Sequence, residues 1–210
     1  MKITVFGPTG PTGIEVLKQA LEAGYFVTAY ARNPAKIGSL TDANLAVKKA
    51  ELSDMAALES AIQGTDAVIS VLGPGVGLKG TELSRGMKNI VDCMKKCGVR
   101  RLIALSTGSV RDPQDKFDMK FKCLVFMIRT LFNGAYQEII RMGDIIRGSG
   151  LEWTLVRVGL LTNKDISKAK AGYYGEGIVK TSVSRKSVAK FMLDILRVKA
   201  YIQKAPAISN

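Results

Sequence analysis

The sequence predicts an α/β protein: one doubly wound, mostly parallel sheet with helices packed on both faces. Three observations predict it. Short runs rich in β-branched and aromatic residues alternate along the chain with segments of helical spacing, the pattern of strand–helix–strand crossovers. The run Asp66-Ala67-Val68-Ile69-Ser70-Val71-Leu72 is almost continuously apolar, as a strand buried on both faces must be. The first apolar run passes through a glycine-punctuated turn straight into a helical segment, at Gly7-Pro8-Thr9-Gly10-Pro11-Thr12-Gly13. The 210 residues suffice for one sizeable core and are too few for two ordinary domains. A single domain over 1–210 is therefore expected.

Lys2-Ile3-Thr4-Val5-Phe6 is the first strand, and residues 14–21 carry the spacing of the first helix. The glycines between them are spaced G-x-x-G-x-x-G, in the strand–turn–helix context that a dinucleotide-binding loop of the Rossmann type requires. One glycine makes the tight turn, one lets backbone approach a pyrophosphate, and one lets the helix pack close to the strand. Free N–H groups at the helix N-terminus then bind phosphate, with help from the macrodipole. Residues 25–30 form the second strand. A cofactor lacking the 2′-phosphate meets Asp or Glu where this strand ends, but here Tyr30-Ala31-Arg32 stands in that place. An arginine fork matches a phosphate dianion, so Arg32 favours NADP over NAD. Asn33-Pro34 reads as an N-cap and first-turn proline, which predicts a helix beside that arginine.

The third strand is Leu45-Ala46-Val47-Lys48-Lys49, and residues 54–62 form a short helix ended by Gly64. The fourth strand, 66–72, leads into a glycine-rich loop, Gly73-Pro74-Gly75-Val76-Gly77. Residues 81–97 form a helix with Gly98 as its stop. The fifth strand, 101–105, ends in Ser106-Thr107. A helix over 135–147, a sixth strand over 153–158, a last helix over 184–197 and a short tail complete the chain. The stretch 112–134, and within it 116–132, breaks the alternation. It follows strand five, on the edge where ligands bind in this architecture. Its aromatics, methionines and lysines admit three readings: a lid over an apolar substrate, a helix packed on the body, or a helix lying on a membrane surface.

Composition narrows the chemistry. The chain has no histidine, which removes the commonest general acid/base and the commonest metal ligand, so no metal site is expected. Cys93, Cys97 and Cys123 are odd in number and match no zinc spacing; buried, inert thiols are expected. The net charge is +13. The cations are scattered rather than set in a stripe with stacking aromatics, so nucleic-acid binding is not expected. Solvated faces and attraction for a polyanionic cofactor account for the charge. No apolar run is long enough to cross a bilayer, and no leader precedes strand one, so a cytoplasmic location is expected.

The chain resembles the atypical short-chain dehydrogenase/reductase group. More closely it is similar to the NAD(P)H-binding proteins that include biliverdin reductase B (the flavin reductase) and the NmrA-like regulators. The resemblance is carried by the 7–13 loop, by Ala31-Arg32-Asn33-Pro34 with Lys36, and by 66–73. Ser106-Thr107-Gly108 and the run 149–157 complete it. It implies that Thr9, Gly10, Pro11 and Thr12, within the loop bounded by Gly7 and Gly13, line the pyrophosphate. It further implies that Arg32 holds the 2′-phosphate, Glu51 and Leu52 border the adenine, Leu72 and Gly73 flank the ribose, and Ser106 and Thr107 approach the nicotinamide and substrate. Glu51 stands where the family more often has Asp.

Departures from the group bear on mechanism. None of the six tyrosines has a lysine four residues later; Tyr136 is followed by Ile140 and Tyr173 by Gly177. The Tyr–Lys pair with which such dehydrogenases protonate a carbonyl is therefore missing. Val158 replaces a proline common after the strand-six arginine, and no histidine stands near Leu160. Reducing a ketone needs a positioned acid, whereas a flavin or quinone accepts hydride with its charge delocalised. The sequence thus favours an NADPH-dependent reductase of a small, apolar or aromatic acceptor of flavin-like or quinone-like type. The alternative is a non-catalytic NADP-binding redox sensor of the NmrA-like kind.

Overall fold

The computed structural model describes residues 1–73 and 82–210. Among them, β1 (Lys2–Phe6), β2 (Phe26–Ala31), β3 (Leu45–Lys49), β4 (Ala67–Ser70), β5 (Arg101–Thr107) and β6 (Glu152–Val158) form the body of one sheet. β10 (Ala207–Ser209) and β8 (Lys170–Gly172) extend it, in the order β3-β2-β1-β4-β5-β6-β10-β8. All neighbours pair in parallel except β10 with β8. This is the doubly wound Rossmann arrangement. A short parallel pair, β7 (Leu160–Thr162) with β9 (Ser182–Ser184), stands apart from the main sheet.

Helices α1 (Pro11–Glu22) and α6 (Arg185–Arg197) cover one face. There Ile3 and Val5 of β1 meet Val16 and Leu17 of α1 and Met192 and Leu193 of α6. Helices α2 (Met55–Ile62), α3 (Glu82–Lys96) and α5 (Asn133–Arg147) cover the other face. Phe6, Val68 and Leu102 pack there against Leu58, Met87, Ile90 and Ile146. Strand alternation decides the division, since successive side chains point to opposite faces. Thr4 shares the α2 face with Phe6 and is fully buried; its hydroxyl donates to the Ala61 carbonyl at 2.5 Å, so this hydroxyl is not left bare.

Three expectations need correction. Asn33-Pro34 opens a single 3-10 turn, Pro34–Ile37, rather than a helix; Gly38, at φ +75°, ends it at once. The tail after α6 is β10. Buried Arg101, whose pKa burial lowers to about 10, donates to the Ala200 carbonyl, and Thr154 donates to the Tyr201 carbonyl. These bonds turn the chain back, and Leu155 and Arg157 then take the Lys204 and Pro206 carbonyls as ladder partners. Finally, only Cys93 is buried; Cys97 is half-buried and Cys123 is exposed.

The stretch 112–134 contains α4 (Met119–Leu131), capped by the Asp118 carboxylate, which accepts from Phe121 N–H. Its approach is tied down by a buried ion pair. The Asp115 and Arg157 side chains are 2% and 0% exposed, and the guanidinium grips the carboxylate at 2.5 and 2.7 Å. Arg157 also donates to the Ala205 and Val110 carbonyls, and Asp115 accepts from the N–H groups of Asp112 and Tyr174. Burial alone would raise the Asp115 pKa. The hydrogen bonds from Arg157, Asp112 and Tyr174, with the Arg157 charge, outweigh it and hold the carboxyl below its ordinary value.

A depressed folded-state value means the pair stabilises fully above the unfolded carboxylate pKa of about 4. That contribution is lost as pH falls through the lower folded value. Asp115→Asn leaves a buried guanidinium without its counter-charge. It should lower the unfolding free energy in urea at neutral pH by about 3–5 kcal/mol. What stability remains should fall less steeply below about pH 4 than that of the wild type.

Candidate functional site

Parallel pairing sets Phe6 opposite Tyr30 on one side and Ser70 on the other. The next row along the sheet edge is Gly7, Ala31 and Val71. The chain leaves β1 toward β2 and β3, then returns to β4 on the opposite side of β1. This is the topological switch point of the sheet, where a crevice opens beyond the strand ends.

The three glycines of the first loop differ in what surrounds them. Gly7 has φ +79°, and a Cβ there would lie 3.0 Å from the Val71 carbonyl. A Cβ on Gly13 would fall 2.2 Å from the Gly7 oxygen and 2.7 Å from Pro8 Cα. Both are glycine because the backbones crowd them. Gly10 is different: a Cβ would meet only the Gly7 oxygen, at 3.8 Å, and its φ is −78°. No protein atom requires the absence of its side chain. Gly10 is also the N-cap of α1, with no side-chain cap and no acidic residue in the first turn. The positive end of the helix is thus left without an internal counter-charge. Thr9 is half-buried, Pro11 exposed and Thr12 buried in the same turn.

Arg32 lies one residue beyond β2 and is exposed. Among the described residues, no carboxylate pairs with it. Beside it, the Tyr30 hydroxyl donates to the Glu51 carbonyl at 2.7 Å, and burial pushes its pKa up to about 12, so it remains a donor. The Asn89 amide donates to the Leu52 carbonyl at 2.9 Å, and the Leu52 side chain occupies the space a Cβ on Gly86 would need. Glu51 and Leu52 are held in this way by β2 from one side and α3 from the other. Leu72 and Gly73 follow β4. The remainder of the glycine-rich loop, with Gly75 and Gly77, lies outside the described residues, as does Thr81.

Ser106 and Thr107 end β5, the first buried and the second half-buried. The Thr107 hydroxyl accepts from Ser109 N–H at 3.3 Å, which leaves its proton for another acceptor. Three side chains that sequence reasoning missed stand next to this strand end. A Cβ on Gly108 would lie 2.5 Å from the Phe121 ring and 3.0 Å from the Tyr174 hydroxyl. Phe121 and Tyr174 stack at 3.8 Å and 12°, and the Arg157 guanidinium sits 5.0 Å from the Tyr174 ring. Burial pushes the Tyr174 phenol up to about 12, more than the Arg157 charge lowers it. Tyr174 escaped notice because it lies in a turn, far along the chain from β5. A separate groove of about 550 Å³ beside α1 is lined in part by Lys164, Arg185 and Lys186. Asn163 and Asp165 already engage the last two.

A family model described as NAD(P)H-binding matches residues 7–199. The chain belongs to this NAD(P)H-binding family. It is 27% identical over 172 residues to quinone oxidoreductase 2 of Escherichia coli K12. That match takes in 80% of this chain and 52% of the relative, so the chain spans about half the length of that protein. A Rossmann-fold NAD(P)-binding family protein from Shigella flexneri superimposes with a TM-score of 0.74 at 27% identity, over 100% of this chain and 93% of that one. A short-chain dehydrogenase/reductase from Veillonella parvula, solved in complex with NADP, superimposes with a TM-score of 0.83 at 19% identity, over 100% and 94% of the two chains. The uncapped α1 N-terminus, the unfilled space at Gly10 and the unpaired Arg32 all fit a dinucleotide laid across the strand ends.

The glycine geometry separates packing from binding. Gly13→Ser should lower stability by at least about 1–3 kcal/mol, because backbone must shift to admit the side chain. Gly10→Ser should stay within about 0.5 kcal/mol of the wild type. Urea denaturation of the two variants without cofactor checks the contrast.

Proposed function

We propose that the protein is an NADPH-dependent reductase of a flavin-like or quinone-like acceptor. The observation that carries this reading is the end of β2. An exposed arginine stands there, without a carboxylate partner among the described residues, beside a helix N-terminus whose N-cap residue makes no side-chain cap. On this reading the loop Gly7, Thr9, Gly10, Pro11, Thr12 and Gly13 surrounds the pyrophosphate, and the α1 N–H groups face its charge. Arg32 takes the 2′-phosphate. Glu51 and Leu52 border the adenine, Leu72 and Gly73 the ribose, and Ser106 and Thr107 the nicotinamide and acceptor. The NADP held by the Veillonella parvula protein supports the choice of cofactor.

NADPH, when bound, supplies hydride. The protein's part is to hold the nicotinamide against the acceptor and exclude competing reactions. Thr107 donates its free hydroxyl proton as a hydrogen bond to the acceptor. The lack of a Tyr–Lys pair supports an acceptor whose negative charge is delocalised on reduction and which takes its proton from water. The name of the Escherichia coli relative, a quinone oxidoreductase, supports the same class.

Arg32→Ala should weaken NADPH binding roughly ten- to a hundredfold, the loss of one charge-assisted phosphate contact, and barely change NADH binding. Fluorescence titration with both cofactors measures it; equal losses would refute the 2′-phosphate role. For the reaction itself, NADPH oxidation is followed with a panel of flavins and quinones. Turnover with at least one acceptor is expected. Tight NADPH binding with no turnover on any of them would instead make the protein a redox sensor of the NmrA-like kind.

A further inference from the structure

Helix α4 is built the wrong way round for a helix facing water. Its inward side is modest: Phe121, stacked on Tyr174, with Val125 and Ile128, all half-buried. Its outward side is apolar. Met119, Phe126, Met127 and Leu131 recur at the spacing of one helical face and are exposed, with Phe117 and Phe132 exposed at its ends. Phe126 and Leu131 are 68% and 67% exposed. A contiguous apolar face of this kind marks an interaction site.

The charges around the face say what it fits. From 119 to 137 the chain has no Asp or Glu. Lys122 and Arg129, seven residues apart, run along one border of the apolar stripe, and Lys116 precedes it. All three are exposed, and among the described residues none pairs with a carboxylate. The Lys122 ammonium lies over the Phe117 ring, 4.4 Å from its centre. A second copy of this chain is a poor occupant. Each copy carries +13, and a two-fold interface here would bring two sets of Lys116, Lys122 and Arg129 together. No helix among the described residues is long and apolar enough to cross a membrane.

We infer that α4 docks the protein on an anionic lipid surface, lying in the plane of the interface. Phe126 and Leu131 enter the acyl boundary, and Lys122 and Arg129 meet the headgroups. Because Phe121 of the same helix stacks on Tyr174 beside Gly108, docking sets the end of β5 close to the bilayer. If the reductase reading holds, an apolar acceptor dissolved in lipid would then reach the crevice directly. The docking itself does not depend on that reading.

The test is co-sedimentation of the full chain with vesicles of phosphatidylcholine, alone or with roughly a third phosphatidylserine. Binding to the anionic vesicles is expected, at least about tenfold weaker on the neutral ones, and weakened by added salt. Phe126→Ser/Leu131→Ser and, separately, Lys122→Glu/Arg129→Glu should each cut anionic-vesicle binding by about tenfold or more, with melting temperatures unchanged because all four side chains are at the surface. No binding to anionic vesicles, equal binding to neutral ones, or variants that bind like the wild type would overturn the inference. So would a lipid-free dimer, in sedimentation equilibrium, that Phe126→Ser/Leu131→Ser dissociates; the face would then belong to a second copy. A protein that binds vesicles but oxidises no NADPH would overturn the reductase reading and leave this one standing.

Discussion

The region around the ends of β5 and β6 is organised by the ion pair between Arg157 and Asp115. Arg157 sits in β6 with no exposed surface, and a lone guanidinium in that position would cost several kcal/mol. Asp115 neutralises it, and the remaining hydrogen bonds of the two groups go to backbone from other parts of the chain. The Ala205 carbonyl belongs to the approach to β10, the Val110 carbonyl to the exit from β5, and the Tyr174 N–H to the turn after β8. One buried charge thus requires three loops to meet at one point. The stack of Tyr174 on Phe121, and through it the seat of α4, follows from that meeting.

The turn between β1 and α1 rests on a different constraint, the closeness of backbones. The G-x-x-G-x-x-G loop looks uniform in the sequence, yet its glycines answer to different neighbours. Val71 forces the first and the loop's own carbonyl forces the third. The middle one faces no protein atom nearer than ordinary contact.

Much of the fold was legible because burial on both faces writes near-continuous apolar runs, and because the helices carry their own stop signals. β1 and β3 occur with the predicted limits, and Asp54 and Ser184 cap α2 and α6, each accepting from a first-turn N–H. β10 was not legible: it is three residues long, Pro206 precedes it, and the bonds that turn the chain toward it come from Arg101 and Thr154. The strand–turn–helix that carries Gly7, Gly10 and Gly13 could be read from local spacing alone, since it is contiguous in sequence. The cluster of Phe121, Tyr174 and Arg157 could not, because its members meet only through the tertiary fold. The stretch holding α4 was ambiguous for a physical reason: an outward apolar face and an inward one have the same periodicity.

The place of β10 bears on how the chain matures. β10 lies between β6 and β8, so the edge of β6 has no partner until residues 203–208 have been made. Strands β1 to β6, with their helices, can assemble during synthesis. Through that interval alternate residues of β6 present unpaired N–H and carbonyl groups, an edge open to strands of other nascent chains. A chain interrupted before residue 203 would keep that edge bare, and its fate would be aggregation rather than simple loss of activity.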